Sequence, residues 1–298
     1  MNTLYLTNGI KTNKTVVAVG SFDGVHKGHT ALLEKAVKTA VAVSAVPAVW
    51  TFEDYIQRPD VKYIIPAGKR ADIFKSLGVG AVFTCGFDDV RDMSADDFVK
   101  KILIDACGAE YAVCGFNFRF GKNAGSDAHD LAALMRGYGK GCVVIDKVCQ
   151  NGVPVSSTAI RKALSDGDVG LANAMLGRKF TIETPVVHGS SIGKGLGFPT
   201  INQPYPDGLV MLRHGVYACE TYIGGVKYKA VSNVGVKPTV GSDSVICETY
   251  ILDYDGDLYG QTVTVGFNGF IRDERKFDSL DLLSGQIEKD VRYVKETE

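Results

Sequence analysis

The sequence predicts a two-domain protein in which a doubly wound parallel α/β sheet is followed by a smaller antiparallel β domain. Three observations support this fold class. Apolar runs alternate with helix-period segments up to about Gly177, and polar and apolar residues alternate after Arg178. The length of 298 residues also suits two domains. Length alone leaves one large barrel open as the alternative.

The first half contains five continuous apolar runs, the pattern of strands that are buried on both faces of a parallel sheet. Helix boundaries lie between some of these runs. Ser94 with Asp97 resembles a capping box, and Gly78 follows a helix expected over Lys69–Leu77. The runs are Val16–Gly20, Val46–Phe52, Val79–Thr84, Tyr111–Gly115 and Cys142–Val148.

Tight-turn signals separate the strands predicted in the second half. Gly224-Gly225 and Asp255-Gly256 each lie between two strand-like runs, as in β-hairpins. A long helix closes the chain after a cap at Asp278 or Ser279, and we expect its apolar stripe to pack on the β domain, whose simplest form is a barrel. The stripe consists of Leu280, Leu283, Ile287, Val291 and Val294.

The change of pattern places the domain boundary near Gly177–Thr184, so the predicted domains are residues 1–180 and 181–298. The balance of charged residues limits the kinds of molecule that the protein is expected to bind. The 33 Lys and Arg nearly balance the 34 Asp and Glu, for a net charge of −1, so no general basic surface is expected. Nucleic acid is therefore not an expected partner, whereas small anions can still bind at local sites.

Neither a signal peptide nor a membrane span is expected. The first 14 residues lack a basic segment leading into an apolar one, and the apolar stretch Ala40–Trp50 contains Ser44 and Pro47. The seven cysteines are scattered and include no C-x-x-C pair, so we interpret them as reduced, mostly buried thiols. These features predict a cytoplasmic protein with no membrane partner.

Residues 16–29 run from a strand into a helix expected to begin near Thr30. The carboxyl end of the first strand is where open parallel sheets bind ligands, and a helix N-terminus attracts anions. Glycines allow close approach of the backbone, while His26 and His29 supply donors that can stabilise charge on a phosphoryl group. A Gly-rich turn with two surface histidines is the alternative. The pattern is neither a zinc H-E-x-x-H nor a P-loop.

A second segment, residues 155–162, places cations where a helix usually avoids them. Ser157 is a natural N-cap, and Arg161 and Lys162 are expected in the first turn, where the helix dipole disfavours positive charge. A triphosphate bound there would explain them. Taken alone, the segment favours an ordinary capped helix, and the histidine segment favours the phosphate-binding interpretation.

The loop over residues 189–202 holds four glycines, but it matches neither of the common phosphate-binding fingerprints. Only three residues separate Gly189 from Gly193, Gly195 follows Lys194, and the loop leads into Phe-Pro rather than into a helix. On composition alone, a flexible hairpin is the simplest interpretation of this loop.

Three segments of the first half resemble, in order, the motifs of H-x-G-H nucleotidyltransferases, and specifically those of bacterial bifunctional riboflavin kinase/FAD synthetases. They are residues 20–29 (GSFDGVHKGH), 115–121 (GFNFRFG) and 156–161 (SSTAIR). The resemblance implies a Rossmann-like domain in which FMN attacks the α-phosphorus of ATP, giving FAD and pyrophosphate with assistance from Mg²⁺.

The second half resembles the riboflavin kinase part of the same family, so the similarity extends over nearly the whole chain. The resemblance implies a six-stranded antiparallel barrel that phosphorylates riboflavin. The segments are residues 197–202 (GFPTIN), 215–218 (GVYA), 233–239 (NVGVKPT), 247–253 (CETYILD), 257–260 (DLYG) and 271–274 (IRDE).

The resemblance also assigns roles in the amino-terminal site. His26 and His29 would contact the reacting phosphates, and Asn117 would lie near the nucleotide or flavin. ATP and the leaving pyrophosphate would be held by Gly20, Phe22, Gly24, Gly28, Ser157, Thr158 and Arg161. Such chemistry needs positioning and charge neutralisation more than a nucleophile.

In the carboxy-terminal site, the resemblance makes Glu248 the base that takes a proton from the ribityl 5′-hydroxyl. Thr200 and Asn202 would hold Mg²⁺ and the ATP phosphates through hard oxygen atoms. Gly193, Lys194 and Gly195 would cover those phosphates. Glu248 is otherwise an exposed strand carboxylate paired with a lysine. Arg272 would approach the flavin or the product phosphate, or else pair with Asp273 or Glu274.

Some positions depart from the family pattern. Phe116 and Asn117 stand where many members have acidic residues, and Lys194 replaces a common arginine. Residues 51–56 (TFEDYI) replace the usual T-F-x-P-H-P, so residues 53–58 are an altered part of the expected flavin pocket. Two alternatives to a bifunctional enzyme therefore remain: an enzyme that keeps one activity, or a flavin- or nucleotide-binding regulator without catalysis. The expected small-molecule partners are ATP, riboflavin and FMN, and the sequence does not determine self-association.

Overall fold

The computed structural model describes residues 2–5, 14–53, 61–189, 192–239 and 242–297. The chain forms two compact units, Met1–Ser157 and Thr158–Glu298. Each unit contains its own sheet of six strands. The first is an α/β sheet and the second is an antiparallel β sheet, which confirms the predicted fold class.

The first sheet has the strand order β1-β4-β3-β2-β5-β8, in which β2, β3, β4, β5 and β8 are parallel and β1 is an antiparallel edge. Two short pairs, β6 with β7 and β9 with β10, lie outside it. The strands are β1 (Asn2–Tyr5), β2 (Thr15–Val19), β3 (Val46–Phe52), β4 (Ala81–Cys85), β5 (Ala109–Gly115), β6 (Arg119–Phe120), β7 (Ser126–Asp127), β8 (Gly141–Ile145), β9 (Cys149–Gln150) and β10 (Val153–Pro154).

Helices cover both faces of this sheet, because its strands carry apolar residues on both sides. One buried cluster includes Val17, Trp50 and Leu131, and the other includes Val16, Leu33 and Phe74. The helices are α1 (Lys27–Ala42), α2 (Ala67–Ser76), α3 (Ala95–Asp97), which continues as a π-helix over Phe98–Ala106, and α4 (Ala128–Gly137).

All five predicted strands are present, with ends shifted by a few residues. Ser94 caps α3 by accepting a hydrogen bond from the Asp97 N–H at 3.0 Å, and Gly78 follows α2 with φ of 86°. The expected start of α1 near Thr30 is wrong. The helix begins at Lys27 because the His26 side chain is its N-cap, which places His29 in the first turn.

The second unit begins with helices α5 (Ser157–Asp166, whose first residue belongs to the first unit) and α6 (Val169–Leu176). Its sheet has the order β11-β16-β13-β14-β15-β12. The remaining elements are β11 (Phe180–Pro185), α7 (Ile192–Gly195), β12 (Thr200–Pro204), β13 (Gly215–Ile223), β14 (Val226–Thr239), β15 (Ser242–Ile251), β16 (Thr262–Arg272) and α8 (Leu280–Glu296).

The edge strands β11 and β12 approach each other, so the antiparallel sheet curls into a barrel. Val187 and Asn202 form a β-bridge, and the buried amide of Gln203 donates to the carbonyl oxygens of Thr184 and Val263, each at 2.8 Å. The β13–β14 hairpin turns at Gly224-Gly225, where φ is 58° and 82°, which confirms that turn.

Two expectations for the second half differ from the structure. Asp255-Gly256 is not a hairpin turn, because β15 ends at Ile251 and pairs with β14 and β12, whereas β16 starts at Thr262 and pairs with β11 and β13. Ser279 caps α8, and Val291 and Val294 pack against the barrel. Leu280, however, is 59% exposed and does not extend the apolar stripe.

Helix α6 groups with the barrel, which places the division between units earlier in the chain than the change of sequence pattern. The Asn173 side chain donates to the Phe267 carbonyl oxygen at 2.8 Å and accepts from the Phe180 N–H at 2.7 Å.

Five of the seven cysteines are buried, and all seven are free thiols. Among the helices that the structure describes, none combines the length and apolar character needed to span a bilayer.

Candidate active sites

The amino-terminal site lies where the strand order of the parallel sheet reverses. Strands β3 and β4 lie on one side of β2, while β5 and β8 lie on the other. Ligands of open α/β sheets bind outside the carboxyl ends of the strands at such a switch point. Residues 20–29 follow β2, and Asn117 follows the neighbouring β5, so both predicted segments meet this position.

The two histidines of this segment stack on each other. Their ring centroids are 3.6 Å apart at an interplanar angle of 12°, and the His29 N–H donates to His26 Nδ1 at 3.2 Å. Because Nδ1 of His26 is an acceptor, the neutral imidazole carries its proton on Nε2, as a donor. His26 therefore caps α1 and His29 lies in its first turn, where backbone N–H groups lack intrahelical acceptors and attract anions.

Glycines and a buried ring shape the loop that leads to these histidines. Phe22 is fully buried with φ of 52°, and its ring lies 5.1 Å from His29 and 5.5 Å from Phe74. Gly24 has φ of 80°. A Cβ at Gly28 would lie 3.1 Å from the His26 ring, so glycine there leaves room for the stacked pair.

Ser157 joins the amino-terminal segment directly, because its hydroxyl donates to the Asp23 carbonyl oxygen at 2.9 Å. Ser157 is the first residue of α5 rather than the residue preceding it. Arg161 therefore lies in the second turn, and the expectation of a first-turn cation there is wrong. Thr158 and Arg161 belong to the second compact unit.

Asn117 is exposed in the turn after β5, next to an exposed Phe116. The Phe116 N–H donates to the Ile145 carbonyl oxygen at 2.9 Å, which ties this turn to β8. Of the altered segment 53–58, only Glu53 lies among the described residues.

Sequence reasoning missed Arg70, a 3% exposed residue that organises the strand ends of this site. Its guanidinium donates to the carbonyl oxygen of Ser21 at 2.8 Å, to Thr51 Oγ1 at 3.1 Å, and to the carbonyl oxygens of Phe52 and Glu53 at 2.9 and 3.1 Å. One buried side chain thus joins the loop after β2 to the end of β3. An arginine on a helix gives no sequence signal for this role.

The carboxy-terminal site is centred on Glu248 in β15. Glu248 lies directly between two asparagines, because its register partners are Asn202 on β12 and Asn233 on β14. Thr200, two residues before Asn202, shares that face of β12 and pairs with Tyr250. The barrel register therefore brings the predicted base and the predicted metal ligands together.

Two glycines pack closely against the predicted metal ligands Thr200 and Asn202. A Cβ at Gly189 would lie 2.3 Å from Asn202 Nδ2, and a Cβ at Gly193 would lie 2.5 Å from the Phe198 carbonyl oxygen and 3.5 Å from Thr200 Oγ1. The Phe198 N–H donates to the Gly193 carbonyl oxygen at 2.8 Å, which closes the short α7 turn. Gly195 is exposed, and the Lys194 side chain lies outside what the structure describes.

A cavity of about 350 Å³ opens beside Glu248. Aromatic and aliphatic side chains line part of its wall, and polar side chains, mostly from four strands, line the rest, a combination typical of small-molecule sites. The apolar lining includes Leu196, Phe198, Tyr250, Phe277, Leu283 and Ile287, and the polar lining includes Thr200, Asn233, Lys237, Glu248, Arg272 and Glu274.

Among the described residues, Arg272 forms no ion pair with either acidic neighbour considered from the sequence, although its Nη1 donates to the Asp273 backbone carbonyl oxygen at 3.1 Å. It contacts the carboxylate of Asp290 on α8 through Nε at 3.1 Å and through Nη2 at 2.7 Å, and Asp290 also accepts from Gln286. Asp273 binds Arg213 instead, and Glu274 accepts from Asn233 at 2.9 Å. The Arg272 guanidinium lies 5.9 Å from the Phe277 ring, so it remains part of the cavity wall.

The donor set at Thr200 and Asn202 fits a hard divalent cation that arrives with phosphates. Both groups are neutral oxygen donors, and Gly189 and Gly193 leave the space that a Cβ would fill. The Lys237 ammonium already contacts Asn202 Oδ1 at 3.3 Å and pairs with Glu248, so a positive charge is accommodated at this point. Lys237 belongs to residues 233–239, and the sequence alone indicates no role for it, because proximity across strands is not visible in a linear sequence.

The chain combines a parallel-sheet domain that has a histidine pair at its switch point with a barrel that brings together a carboxylate, a hydroxyl and an amide. These features define a two-domain phosphoryl- and nucleotidyl-transferase. Family models agree with this class: an FAD synthetase model matches residues 10–159, and a riboflavin kinase model matches residues 176–297. The chain belongs to the bifunctional riboflavin kinase/FMN adenylyltransferase family.

Curated relatives with that name cover almost the whole chain. The chain is 32% identical to the protein from Listeria monocytogenes, covering 97% of this chain and 96% of that protein. It is 35% identical to the Pseudomonas fluorescens protein, covering 93% and 90%, and 33% identical to the Escherichia coli K12 protein, covering 92% and 90%.

A solved structure shares the fold over nearly the full length. It is described as a macrolide-efflux protein from Streptococcus pneumoniae, is 31% identical, and aligns with a TM-score of 0.87 over 99% of this chain and 98% of that one. The likeness supports the arrangement of the elements within each unit.

Proposed function

We propose that the barrel phosphorylates riboflavin to FMN and that the parallel-sheet domain transfers the adenylyl group of ATP to FMN, releasing pyrophosphate. The observation that carries the proposal is the position of Glu248 between Asn202 and Asn233 beside a cavity of about 350 Å³. The stacked histidines at the switch point of the other unit supply the second phosphate site.

In the kinase reaction, the ribityl 5′-hydroxyl attacks the γ-phosphorus of ATP, and ADP leaves. Glu248 takes the hydroxyl proton, a role that requires a carboxylate within hydrogen-bond reach of the substrate. The aromatic wall of the cavity provides stacking surface for a flavin ring, and Arg272 contributes a cation at the same wall. Gly193, Lys194 and Gly195 approach the phosphates through their backbone.

Thr200 and Asn202 would hold Mg²⁺ in the barrel through their side-chain oxygen atoms. A bound divalent cation neutralises charge on ATP phosphates and thereby lowers the barrier to transfer. Since both protein donors are uncharged, we expect the nucleotide to supply the anionic part of the metal's coordination.

In the adenylyl transfer, a phosphate oxygen of FMN attacks the α-phosphorus of ATP, and the bond to pyrophosphate breaks. His26 and His29 stabilise the charge that develops on the phosphate oxygens, and the first turn of α1 adds its backbone N–H groups. Ser157, Thr158 and Arg161 bind the leaving pyrophosphate, and Asn117 orients the nucleotide or the flavin. Gly20, Phe22, Gly24 and Gly28 let the loop approach the phosphates.

We further propose residues 1–180 and 181–298 as the functional domains, because the sequence pattern changes near residue 180. Family models over residues 10–159 and 176–297 support a division close to this position. The cytoplasm is the proposed location, because both reactions consume ATP and five of the seven free thiols are buried.

Incubation of the purified protein with riboflavin, ATP and Mg²⁺, followed by chromatographic separation of the flavins, tests the proposal. We expect FMN first and FAD later. Accumulation of FMN alone, or formation of FAD only when FMN is supplied, would show that one activity has been lost. Tight flavin binding without either product would indicate a regulator and contradict the proposal.

A further inference from the structure

One ammonium group holds two of the residues assigned to the kinase reaction. Lys237 Nζ donates to Glu248 Oε1 and, at 3.3 Å, to Asn202 Oδ1. The side chains of Lys237 and Glu248 are 31% and 26% exposed, so the pair lies in the cavity wall. The candidate base and a candidate metal ligand therefore share one cation.

The fold brings Lys237 close to Asn233 and Glu248, the polar groups of the neighbouring strand positions. Asn233 and Lys237 both belong to β14 and are four residues apart, a spacing that puts side chains on the same face of a strand. Asn233 is the register partner of Glu248, and the long lysine side chain reaches back along the ladder to the same carboxylate. Both residues line the cavity.

This arrangement is incompatible with two of the roles proposed above unless Lys237 moves. A carboxylate oxygen that accepts a charge-assisted hydrogen bond is a poorer acceptor for the proton of a substrate hydroxyl. Asn202 Oδ1 also cannot contact a divalent cation and an ammonium together without strong repulsion between like charges.

We propose that Lys237 is a resident cation of the kinase site, which leaves Asn202 and Glu248 when a divalent cation binds with ATP. This inference rests on the proposed kinase roles of Asn202 and Glu248. Before substrate binds, the ammonium neutralises Glu248 and keeps the amide of Asn202 in place. After release, Glu248 is available to the ribityl hydroxyl. Lys237 is thus a positioning residue that couples metal binding to the availability of the base.

A lysine suits this role better than an arginine. Its ammonium is a compact charge on a flexible stem with three donors, so it can leave two acceptors without breaking a planar bidentate contact. Its partial exposure also lets water solvate the released group, which keeps the cost of displacement low.

Binding of Mn²⁺ to the full-length protein, measured by the electron paramagnetic resonance signal of the free ion, tests the proposal without turnover. The titrations are made with the metal alone and with ADP, for wild type, Lys237→Met, Lys237→Gln and Lys237→Arg. Lys227→Met is the matched control, because it removes another ion-paired lysine from β14, where Lys227 binds Glu220 at 2.7 Å. Every variant retains the same amino-terminal unit, so any metal that it binds adds equally to each titration, and the comparison depends on the differences between variants.

We expect Lys237→Met and Lys237→Gln to bind Mn²⁺ roughly fivefold more tightly than wild type, the ratio equivalent to about 1 kcal/mol for a part-exposed ion pair. Lys237→Arg and Lys227→Met should stay within about twofold of wild type. Equal or weaker metal binding by both neutral variants would overturn the proposal, as would equal tightening by Lys237→Arg.

Flavin assays on the same samples separate this inference from the proposed function. If Glu248→Ala abolishes FMN formation while the Lys237 variants bind Mn²⁺ no more tightly, the kinase assignment stands and the resident-cation inference fails. If Glu248→Ala still forms FMN at the wild-type rate, the assignment of the kinase site itself is wrong.

Discussion

Arg272 and Asp290 join the end of β16 to the helix α8 through a bidentate ion pair, with Nε and Nη2 of the arginine contacting the carboxylate at 3.1 and 2.7 Å. The side chains are 13% and 4% exposed. Because α8 supplies Leu283 and Ile287 to the cavity, the pair holds one apolar wall of the kinase site against the barrel.

Asp290→Ala should therefore destabilise the barrel unit and weaken riboflavin binding. Removing one partner of a buried pair leaves the other charge uncompensated, at a cost of about 3 kcal/mol. Urea unfolding and the KM for riboflavin measure the two effects. Asp253→Ala is the control, since Asp253 is 83% exposed and 3.9 Å from Lys295. A smaller loss of stability for Asp290→Ala than for Asp253→Ala would contradict the role of the pair.

Glu248→Ala and His29→Ala should have opposite effects on the two reactions. Glu248→Ala removes the proton acceptor of the kinase, so FMN formation should fall by at least about a hundredfold while adenylylation of supplied FMN persists. His29→Ala removes a donor to the reacting phosphates and should lower FAD formation by a similar factor. Separate assays with riboflavin and with FMN check this. Loss of both activities in each variant would mean that the sites are not separate.

Gly189→Ala should reduce kinase activity without affecting adenylylation. The added Cβ would lie 2.3 Å from Asn202 Nδ2, so the amide must move away from its present position beside Glu248. We expect a higher Mg²⁺ requirement for FMN formation. Gly269→Ala in β16 is the control, because a Cβ there meets nothing within 4 Å. Identical Mg²⁺ dependence in Gly189→Ala and Gly269→Ala would rule out the close approach.

Arg70→Met should lower FAD formation and leave FMN formation intact. Without the guanidinium, the carbonyl oxygen of Phe52 loses this donor in a part-buried setting, at a cost of about 1 to 3 kcal/mol if the group is left unsatisfied, while the Ser21 carbonyl oxygen retains the Thr51 hydroxyl as a donor at 3.2 Å. Arg70→Lys should not restore activity, because one ammonium cannot reach all the acceptors in this planar arrangement. The KM for ATP in adenylylation provides the measurement.

Arg91→Met is the matched control for Arg70→Met, since Arg91 is 55% exposed and pairs only with neighbouring residues at the surface, Asp88 and Asp92, among those described. Its stability and both activities should match wild type. An equal loss of FAD formation in the two arginine variants would show that the contacts of Arg70 with the strand ends are not responsible.

The sequence by itself determined the two fold types, the five parallel strands, the Gly224-Gly225 hairpin and the segments that carry the chemistry. These features depend on local periodicity, turn residues and motif spacing, which act over a few neighbouring residues. The same information placed His26 and His29 at one phosphate position, because both belong to a single short motif, whereas the structure showed that the helix starts at Lys27 and includes His29 in its first turn.

Only the tertiary structure decided which distant side chains meet. The register of β12, β14 and β15 brings Asn202, Lys237 and Glu248 together, and the path of α8 brings Asp290 to Arg272. Arg70 likewise reaches two strand ends that are separated from it along the chain. Such contacts depend on strand pairing and packing between remote segments, so no local pattern encodes them, and a one-residue change in register would remove them.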